Sequence, residues 1–439
     1  MTSLPSINTH HMDAHQWALE LLDLVGAKTT RPVEVFESAP IADWARSGAV
    51  AITGTPTKLF TPPGFAATAA RGALLALDSF IGATGIAGEQ LLAERAAISQ
   101  WPAKAPWTLG LHCRAVRTTD GWFALSLARQ ADLDAVPALI SEPTSHEWVS
   151  VDAWARTITT DEAVDRCRLF GMPAGAIGSV AGRNLMQITS HGATGVRSLR
   201  GLRVVDLSAL WAGPLCANLL QLAGADVIRV ESEQRSDGAR IGIPTFDDLL
   251  HSGQKSVTFD SNNLEFLHAL VASADLVISA SRPRGLESLS LDPQSWLASK
   301  AHGVWVQLSA YGSTGPQANW IGFGDDTAMA AGLVRWIEGI PIPIADAIAD
   351  PLTGVHAAVG AVSLAQRGGA HLLELSLADV AAATIGGPPA SDPINRNGAW
   401  QVETEFGLRP IEKPKARTVT GTARALGADT DAVRAELAF

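Results

Sequence analysis

An aspartate begins an apolar helical stretch in the last quarter of the sequence. In IADPLTGVHAAVGAV (residues 348–362), Asp350 directly precedes a proline, a position where aspartate commonly caps a helix. The helix dipole favours the charged form of a carboxylate there by roughly 0.3–1 kcal/mol. We therefore expect Asp350 to be ionised, as a helix cap, as a reactive group or as both. Gly354, one turn further on, is expected to leave room for a substrate beside it.

A second stretch near the amino terminus has a similar texture. When PPGFAATAARGALLAL (62–77) is aligned so that Gly72 falls on Gly354, Thr68 takes the position of Asp350. The segment before it, ADWARSGAVAITG (42–54), belongs to the same pattern. We interpret this region as a degenerate copy that lacks the acid.

The composition excludes several classes of protein. The chain has 439 residues, 47% of them hydrophobic and 18% charged, which is typical of globular domains with sizeable cores. A net charge of −11 argues against nucleic acid as a partner, because phosphate binding needs a basic surface. No apolar run is long enough to span a membrane, and no signal peptide is evident.

The metal-ligating residue types are sparse. Cys113, Cys167 and Cys216 are too far apart in sequence for a zinc motif or a disulfide framework, which favours the cytoplasm. His10, His11 and His15 are interpreted as part of a solvated arm, so no metal and no permanently bound cofactor is expected.

After residue 197, strands and helices alternate regularly. Strands are predicted at LRVVDLS (202–208), DVIRVE (226–231), KSVTFD (255–260), DLVISA (275–280), VWVQLSA (304–310) and LLELSL (372–377). Helices are predicted at 213–225, 263–273, 291–300, 325–336 and 352–366. This pattern predicts an α/β fold with a Rossmann-like parallel sheet and helices on both faces. Ligands bind such sheets beyond the carboxyl ends of the strands.

The rest of the chain divides around this sheet. CRAVRTTDGWFALSLAR (113–129) predicts a hairpin around Asp120-Gly121, and 159–177 predicts a helix capped by Thr160, so a smaller α+β unit is expected. We predict three regions: 1–197 with the small unit and the degenerate copy, 198–385 with the large domain, and 386–439 with an extended connection and a final helix near Asp429.

The turn after the first large-domain strand reads LSALWAGP. It lacks the GxGxxG pattern of dinucleotide-binding enzymes, which argues against a Rossmann oxidoreductase. The backbone amides of Ala212 and Gly213 still stand at a helix N-terminus, which favours anionic groups.

Several segments in fixed order resemble the family III CoA-transferases, the group of formyl-CoA transferase, carnitine CoA-transferase and α-methylacyl-CoA racemase. They are GLRVVDLSALWAGPLCANLLQLAGADVIRVES (201–232), SGQKSVTFD (252–260), SRPRGLESLSLD (281–292), VWVQLSAYGSTGP (304–316), GFGDDTAMAAGL (322–333) and ADPLTGVHAAVGAVSLA (349–365). TTDGWFALSLAR and GMPAGAI resemble parts of the family's small domain, which here precede the large domain.

The resemblance implies that Asp350 is a nucleophile. It would attack an acyl-CoA thioester to give an acyl anhydride, accept CoA as an aspartyl-CoA thioester, and pass CoA to a carboxylic acid. The implied activity is acyl-CoA:carboxylate CoA transfer, with acyl-CoA and the acceptor acid as partners.

Two alternatives within the family stay open. The racemases use a histidine and an aspartate, but the histidine position holds Phe323 in GFGDD, which weakens that interpretation. His356 is expected to pack inside, and Asp325 and Asp326 are interpreted as charges at a helix start. A catalytically silent CoA-binding protein is the other alternative.

The resemblance also suggests how CoA and a partner subunit would bind. Backbone contacts are implied around Trp211, Ala212, Gly213 and Pro214, and side-chain contacts near Arg282 and Pro283. Arg235 and Lys255 are candidate partners of the nucleotide phosphates. Members of the family form interlocked homodimers, so a homodimer is expected.

Overall fold

The computed structural model describes residues 13–27, 39–180, 182, 184–192, 195–387 and 391–439. His10 and His11 lie outside these residues, whereas His15 lies in a helix and is partly buried. Within the described part of the chain, no helix has both the length and the apolar character needed to cross a bilayer.

The described residues among the first hundred are mainly helical. They contain α1 (Ala14–Leu24), α2 (Pro40–Arg46), the short strands β1 (Gly54–Thr55) and β2 (Lys58–Leu59), α3 (Ala66–Ile81) and α4 (Glu94–Ser99). The faces of α1 and α3 that meet are built of alanine, leucine and tryptophan, and they are buried.

The predicted α+β unit follows. It contains β3 (Cys113–Arg117), β4 (Trp122–Ser126), α5 (Gln130–Ile140), α6 (Glu147–Ala155), α7 (Thr160–Leu169) and β5 (Ala174–Ala176). The strands form one antiparallel sheet, and β3 and β4 confirm the predicted hairpin. The cap of α7 is Thr159 rather than Thr160, since the Thr159 hydroxyl accepts the amide of Glu162. The unit has its own hydrophobic core.

The large sheet has the predicted parallel arrangement. Its strands are β6 (Gln187–His191), β7 (Arg203–Asp206), β8 (Asp226–Ser232), β9 (Lys255–Phe259), β10 (Leu276–Ser279), β11 (Gly303–Ser309) and β14 (Ala370–Ser376). Their order is β6-β14-β11-β10-β7-β8-β9, and all neighbours are parallel except β6 and β14. Because β6 belongs to this sheet, the predicted boundary at residue 198 cuts off one of its strands.

Helices cover both faces of the sheet. They are α8 (Ala212–Leu222), α9 (Pro244–His251), α10 (Glu265–Ser273), α11 (Pro283–Ser288), α12 (Pro293–Ala298), α13 (Gly324–Ala331), α14 (Ala349–Arg367) and α15 (Leu377–Ala383). The helix predicted over 325–336 is too long, because Gly332 ends α13 in a left-handed conformation. The hairpin β12 (Val334–Ile337) and β13 (Ile340–Pro343) follows it.

The predicted extended connection contains more structure than expected. Its described residues include the antiparallel strands β15 (Ile394–Arg396), β16 (Ala399–Thr404) and β17 (Gly407–Pro410). The chain ends in α16 (Thr430–Glu436), whose N-cap position is Asp429, close to the predicted start.

One core joins the amino-terminal helices to the large domain. The cluster runs from Trp17 and Leu74 through Leu215 to Val355 and Val380, so α1, α3, α8 and α14 form a continuous buried layer. The amino-terminal half is therefore packed against the helix that begins with Asp350.

Candidate active site

A strained loop presents Asp350. Between β13 and α14, Ala345 and Ala347 adopt left-handed backbone conformations, with φ of 53° and 43°. Such conformations are costly for alanine and persist only where surrounding contacts hold them. The hydroxyl of Thr53 accepts the amide of Ala345 at 3.0 Å, and Asp325 Oδ1 accepts the amide of Ala347 at 2.9 Å.

Asp350 is the second residue of α14, and its side chain does not cap the helix. The N-cap position is Ile348, which makes no side-chain cap hydrogen bond. The Asp350 carboxylate is hydrogen-bonded instead by the backbone of Gly324. A Cβ on Gly324 would lie 2.5 Å from Asp350 Oδ2, so only glycine fits against this carboxylate. Asp350 keeps part of its surface accessible while its neighbours in α14 are buried.

The charge state of Asp350 differs from the expectation. Burial raises the pKa of Asp350 to about 7; Arg95 acts in the opposite direction, and the carboxylates of Asp325 and Asp346 add to the rise. The helix dipole is too weak to outweigh these effects. The residue therefore exchanges between acid and carboxylate near neutral pH.

Three further acids and one arginine surround this carboxylate. Arg95 binds Asp346 with two hydrogen bonds, Nε to Oδ2 at 2.9 Å and Nη2 to Oδ1 at 2.6 Å. Asp325 lies 3.8 Å from Nε2 of His112, and burial raises its pKa. Burial also raises the pKa of Asp326, which accepts a hydrogen bond from the backbone amide of Phe323. Both acids stand in the first turn of α13, as expected, and they also belong to the surroundings of Asp350.

Gly354 has a packing role that sequence reasoning misassigned. A Cβ at this position would lie 2.6 Å from the carbonyl oxygen of Ala212 and 3.0 Å from Leu215 Cβ. The glycine makes room for α8 and not for a substrate.

His356 packs inside, as expected. Its Nε2 accepts the indole N–H of Trp17 at 2.9 Å, and its Nδ1 bonds the Leu352 carbonyl at 2.7 Å. Burial lowers the pKa of His356 to about 4, against the effect of that carbonyl, so the ring is neutral at pH 7.

The turn after β7 lies at the point where the strand order reverses, between β7 and β10. Trp211, Ala212, Gly213 and Pro214 are buried, and the exposed residues of the turn are Ala209 and Leu210. Leu210 has a φ of 69°, and its amide donates to the buried carboxylate of Asp237. Any ligand at this turn would meet Ala209 and Leu210 first.

Two of the predicted cations come together at the carboxyl ends of the strands. Arg282 follows β10 and Arg235 follows β8. Burial lowers the pKa of Arg282, and the positive charges of Arg284, Arg129 and Arg235 add to that effect. We call these four side chains the arginine cluster. Pro283 is the first residue of α11, directly beside Arg282.

Lys255 lies at the opposite end of the strands, where the parallel strands begin. It is the first residue of β9, and its ammonium group pairs with Asp226 at 2.8 Å and lies 3.9 Å from Glu436. Because ligands bind beyond the carboxyl ends of the strands, this position removes Lys255 from the predicted phosphate site.

A cavity of about 590 Å³ adjoins the arginine cluster, between the small unit and the large domain. Its lining includes Arg282 and Arg284, Arg168 near the end of α7, and Trp320. The guanidinium carbon of Arg168 lies 3.3 Å from the centre of the Trp320 ring. The volume is in the range of small-molecule sites.

Sequence reasoning missed Arg95, Thr53, Arg168 and Trp320. All four lie outside the segments that resemble the family, and nothing in LLAERAAIS marks Arg95 as a site residue. One signal was available: Asp346 in the same loop as Asp350 is an acid in an apolar stretch, and a buried acid requires a partner. Within the described residues, no group of three or more His, Cys, Asp or Glu side chains could hold a metal ion.

Comparison with known proteins identifies the segment that carries this site. Residues 199–405 match the family model described as CoA-transferase family III. The chain is 34% identical over 186 residues to a succinyl-CoA–D-citramalate CoA-transferase of Chloroflexus aurantiacus, covering 39% of this chain and 46% of that protein. It is 28% identical over 180 residues to a formyl-CoA:oxalate CoA-transferase of Rhodopseudomonas palustris, covering 38% of this chain and 42% of that protein.

Among solved structures, a CAIB/BAIF family protein from Brucella suis is 25% identical, with a TM-score of 0.41, over 49% of this chain and 65% of that chain. The chain spans about half the length of the curated relatives it matches. The matched residues 199–405, which we call the family segment, contain the six parallel strands and Asp350 and are similar to CoA-transferase family III.

Proposed function

We propose that the protein is an acyl-CoA:carboxylate CoA-transferase with Asp350 as its nucleophile. The observation that carries the proposal is the Asp350 carboxyl itself, partly accessible, hydrogen-bonded by the Gly324 backbone and within the family segment. A carboxylate with a pKa raised to about 7 by burial is less stabilised than one in water and is a better nucleophile when ionised.

The reaction divides into four acyl exchanges. The Asp350 carboxylate attacks the thioester carbonyl, which forms an acyl-aspartyl anhydride and releases CoA thiolate. The thiolate attacks the aspartyl carbonyl, which forms an aspartyl-CoA thioester and releases the first acid. The acceptor carboxylate attacks that thioester, which gives a second anhydride and thiolate. Attack by the thiolate on the acceptor's acyl carbon then releases the new acyl-CoA and frees Asp350.

The arginine cluster supports CoA as the substrate carrier. The nucleotide end of CoA is strongly anionic. A guanidinium group can donate two parallel hydrogen bonds to two oxygens of one phosphate. In the proposed complex Arg282 and Arg235 contact phosphates, and the cavity beside Arg284 and Arg168 receives the nucleotide. The exposed face of the β7 turn, at Ala209 and Leu210, contacts the arm that leads to the thioester.

The alternatives differ in what they do at Asp350. A racemase needs a second proton-transferring group, and Phe323 cannot provide one. A silent CoA-binding protein would use the arginine cluster and leave Asp350 unmodified.

Mass spectrometry of the protein after incubation with an acyl-CoA tests the proposal. We expect an adduct on the peptide that contains Asp350, converted to the hydroxamate by hydroxylamine, and no adduct on Asp350→Asn. The matched control is Asp346→Asn, which removes a neighbouring and more deeply buried acid that does not react in this scheme and should still form an adduct. CoA binding without an adduct would establish a silent binder, and exchange of the α-proton without an adduct would establish a racemase.

A further inference from the structure

The amino-terminal half repeats the helix packing around Asp350. A Cβ on Gly72 of α3 would lie 2.6 Å from the Ala14 carbonyl oxygen and 2.7 Å from Trp17 Cβ in α1. Gly354 of α14 meets α8 in the same way, through a carbonyl oxygen and a Cβ atom. Glycine therefore stands at the closest approach of both helix pairs, as expected if the first pair is a copy of the second.

This copy carries no nucleophile of its own. Thr68, at the position that matches Asp350, donates its hydroxyl to Asp43 at 2.8 Å. Asp43 is fully buried and also pairs with Arg71 and Arg46. The nearest acid to Thr68 is therefore Asp43 of α2, which is held in a salt-bridge cluster and does not take the place of Asp350.

The amino-terminal half instead contributes Arg95 to the site around Asp350. Arg95 is the second residue of α4, and the edge of its guanidinium group formed by Nε and Nη2 faces the buried carboxylate of Asp346. Its guanidinium carbon lies 4.8 Å from the centre of the Trp211 ring, at the start of α8. Arg95 thus joins three segments: the amino-terminal helices, the β7 turn and the loop that presents Asp350.

The charges around Asp350 make this arginine important. The negative charge of Asp346 acts on Asp350 from the same loop. The charges of Asp325 and Asp326 act on it from α13, and Nε2 of His112 lies 3.8 Å from Asp325. The positive charge of Arg95 favours the carboxylate form of Asp350, against burial and against the neighbouring acids. Burial disfavours the charge of Arg95, but the carboxylates of Asp346, Asp325 and Asp350 outweigh it, so the pKa of Arg95 is raised and the group stays charged.

We propose that Arg95 is a positioning residue for Asp350: its two hydrogen bonds to Asp346 fix the loop that presents Asp350, and they hold a positive charge at the site. The inference rests on the proposed role of Asp350 as the nucleophile. The proposal gives the amino-terminal half a function in the site around Asp350, which lies in the carboxy-terminal half of the same chain.

The pH dependence of CoA transfer tests the proposal. In the wild type, the rate is expected to rise with pH around a midpoint near 7, because only the carboxylate attacks. Removal of a nearby cation raises the pKa of a carboxyl group, by about 1–3 units for close pairs. Arg95→Gln should therefore shift this midpoint upward by about one pH unit or more and reduce the rate at pH 7 about fivefold or more.

Two variants separate this effect from a loss of stability. Arg95→Lys keeps the positive charge but loses the paired hydrogen bonds to Asp346. Its pH midpoint should therefore be close to the wild-type value, while its rate should lie between those of Arg95→Gln and the wild type. Arg417→Gln is the matched control, because Arg417 forms a similarly buried pair with the neighbouring Glu94, at 2.7 Å, and does not contact Asp346. It should lower stability and leave the midpoint unchanged. The same midpoint in Arg95→Gln as in the wild type would overturn the proposal.

A second measurement tests the link between Arg95 and Asp350 without relying on CoA transfer. The ionisation of Asp350 can be followed by NMR of carboxyl-labelled protein, with the signal assigned by its loss in Asp350→Asn. If the wild type transfers no CoA, the nucleophile assignment fails, yet an upward change of this pKa in Arg95→Gln would still support the link between the two residues. An unchanged value would reject that link.

Discussion

At the scale of the residue, Asp350 is a carboxyl group whose charged form the fold disfavours. Its pKa is raised to about 7 by burial, whereas a carboxyl in the unfolded chain titrates near the ordinary value of 3.8. Between these two values the folded state binds the proton more strongly than the unfolded state. The contribution of Asp350 to stability is therefore present below about pH 4 and lost as the pH rises through about 7.

Asp350→Asn should remove this pH dependence. The amide carries no charge and can still accept the Gly324 hydrogen bond, so the variant should be more stable than the wild type at pH 8 and similar to it at pH 4. One pKa unit corresponds to about 1.4 kcal/mol, so the difference is large enough to measure by urea unfolding at the two pH values. An equal difference in unfolding free energy at both pH values would show that folding does not raise the pKa of Asp350.

At the scale of the element, the close contact of α8 with α14 sets the position of the site. Gly354→Ala would place a Cβ 2.6 Å from the Ala212 carbonyl oxygen, and neither backbone can move without displacing Asp350 or the β7 turn. We expect a loss of about 1–3 kcal/mol from overpacking, together with reduced CoA transfer. Gly72→Ala should lower the free energy of unfolding by a similar amount, because its Cβ would collide with α1, and it should reduce CoA transfer less.

Gly285→Ala is the control for both variants. A Cβ there would lie 3.5 Å from Ser281 Cβ, an ordinary contact, so the change should be neutral or slightly stabilising. Thermal unfolding of the three variants compares them directly. Equal stability of Gly354→Ala and Gly285→Ala would mean that the two helices are not in close contact.

The same elements show what the sequence could predict. The six parallel strands alternate with helices and are marked by β-branched runs, so the sheet, its carboxyl edge and the approximate place of Asp350 follow from local patterns. The charge state of Asp350 and the place of Lys255 do not, because each depends on groups distant in sequence. Arg95 lies 251 positions from Asp346, and no spacing rule connects them.

At the scale of the whole molecule, the groups around Asp350 come from two distant regions of the sequence. Thr53, Arg95 and His112 come from the amino-terminal half, and Asp325 and Asp350 come from the family segment. The interlocked homodimer implied by the resemblance stays a prediction, and light scattering would show it as twice the chain mass of 46.0 kDa. Because α3 already packs beside α14, the site does not depend on a partner for that contact.

Dilution separates assembly from activity. If the site is complete within one chain, the specific rate of CoA transfer should stay constant when the protein is diluted through the range in which its mass changes from dimer to monomer. A site shared between subunits would lose activity in step with dissociation, because half of its groups would leave with the partner. Loss of transfer that follows the change in mass would therefore show that a second chain contributes to the site, and that the amino-terminal copy does not replace it.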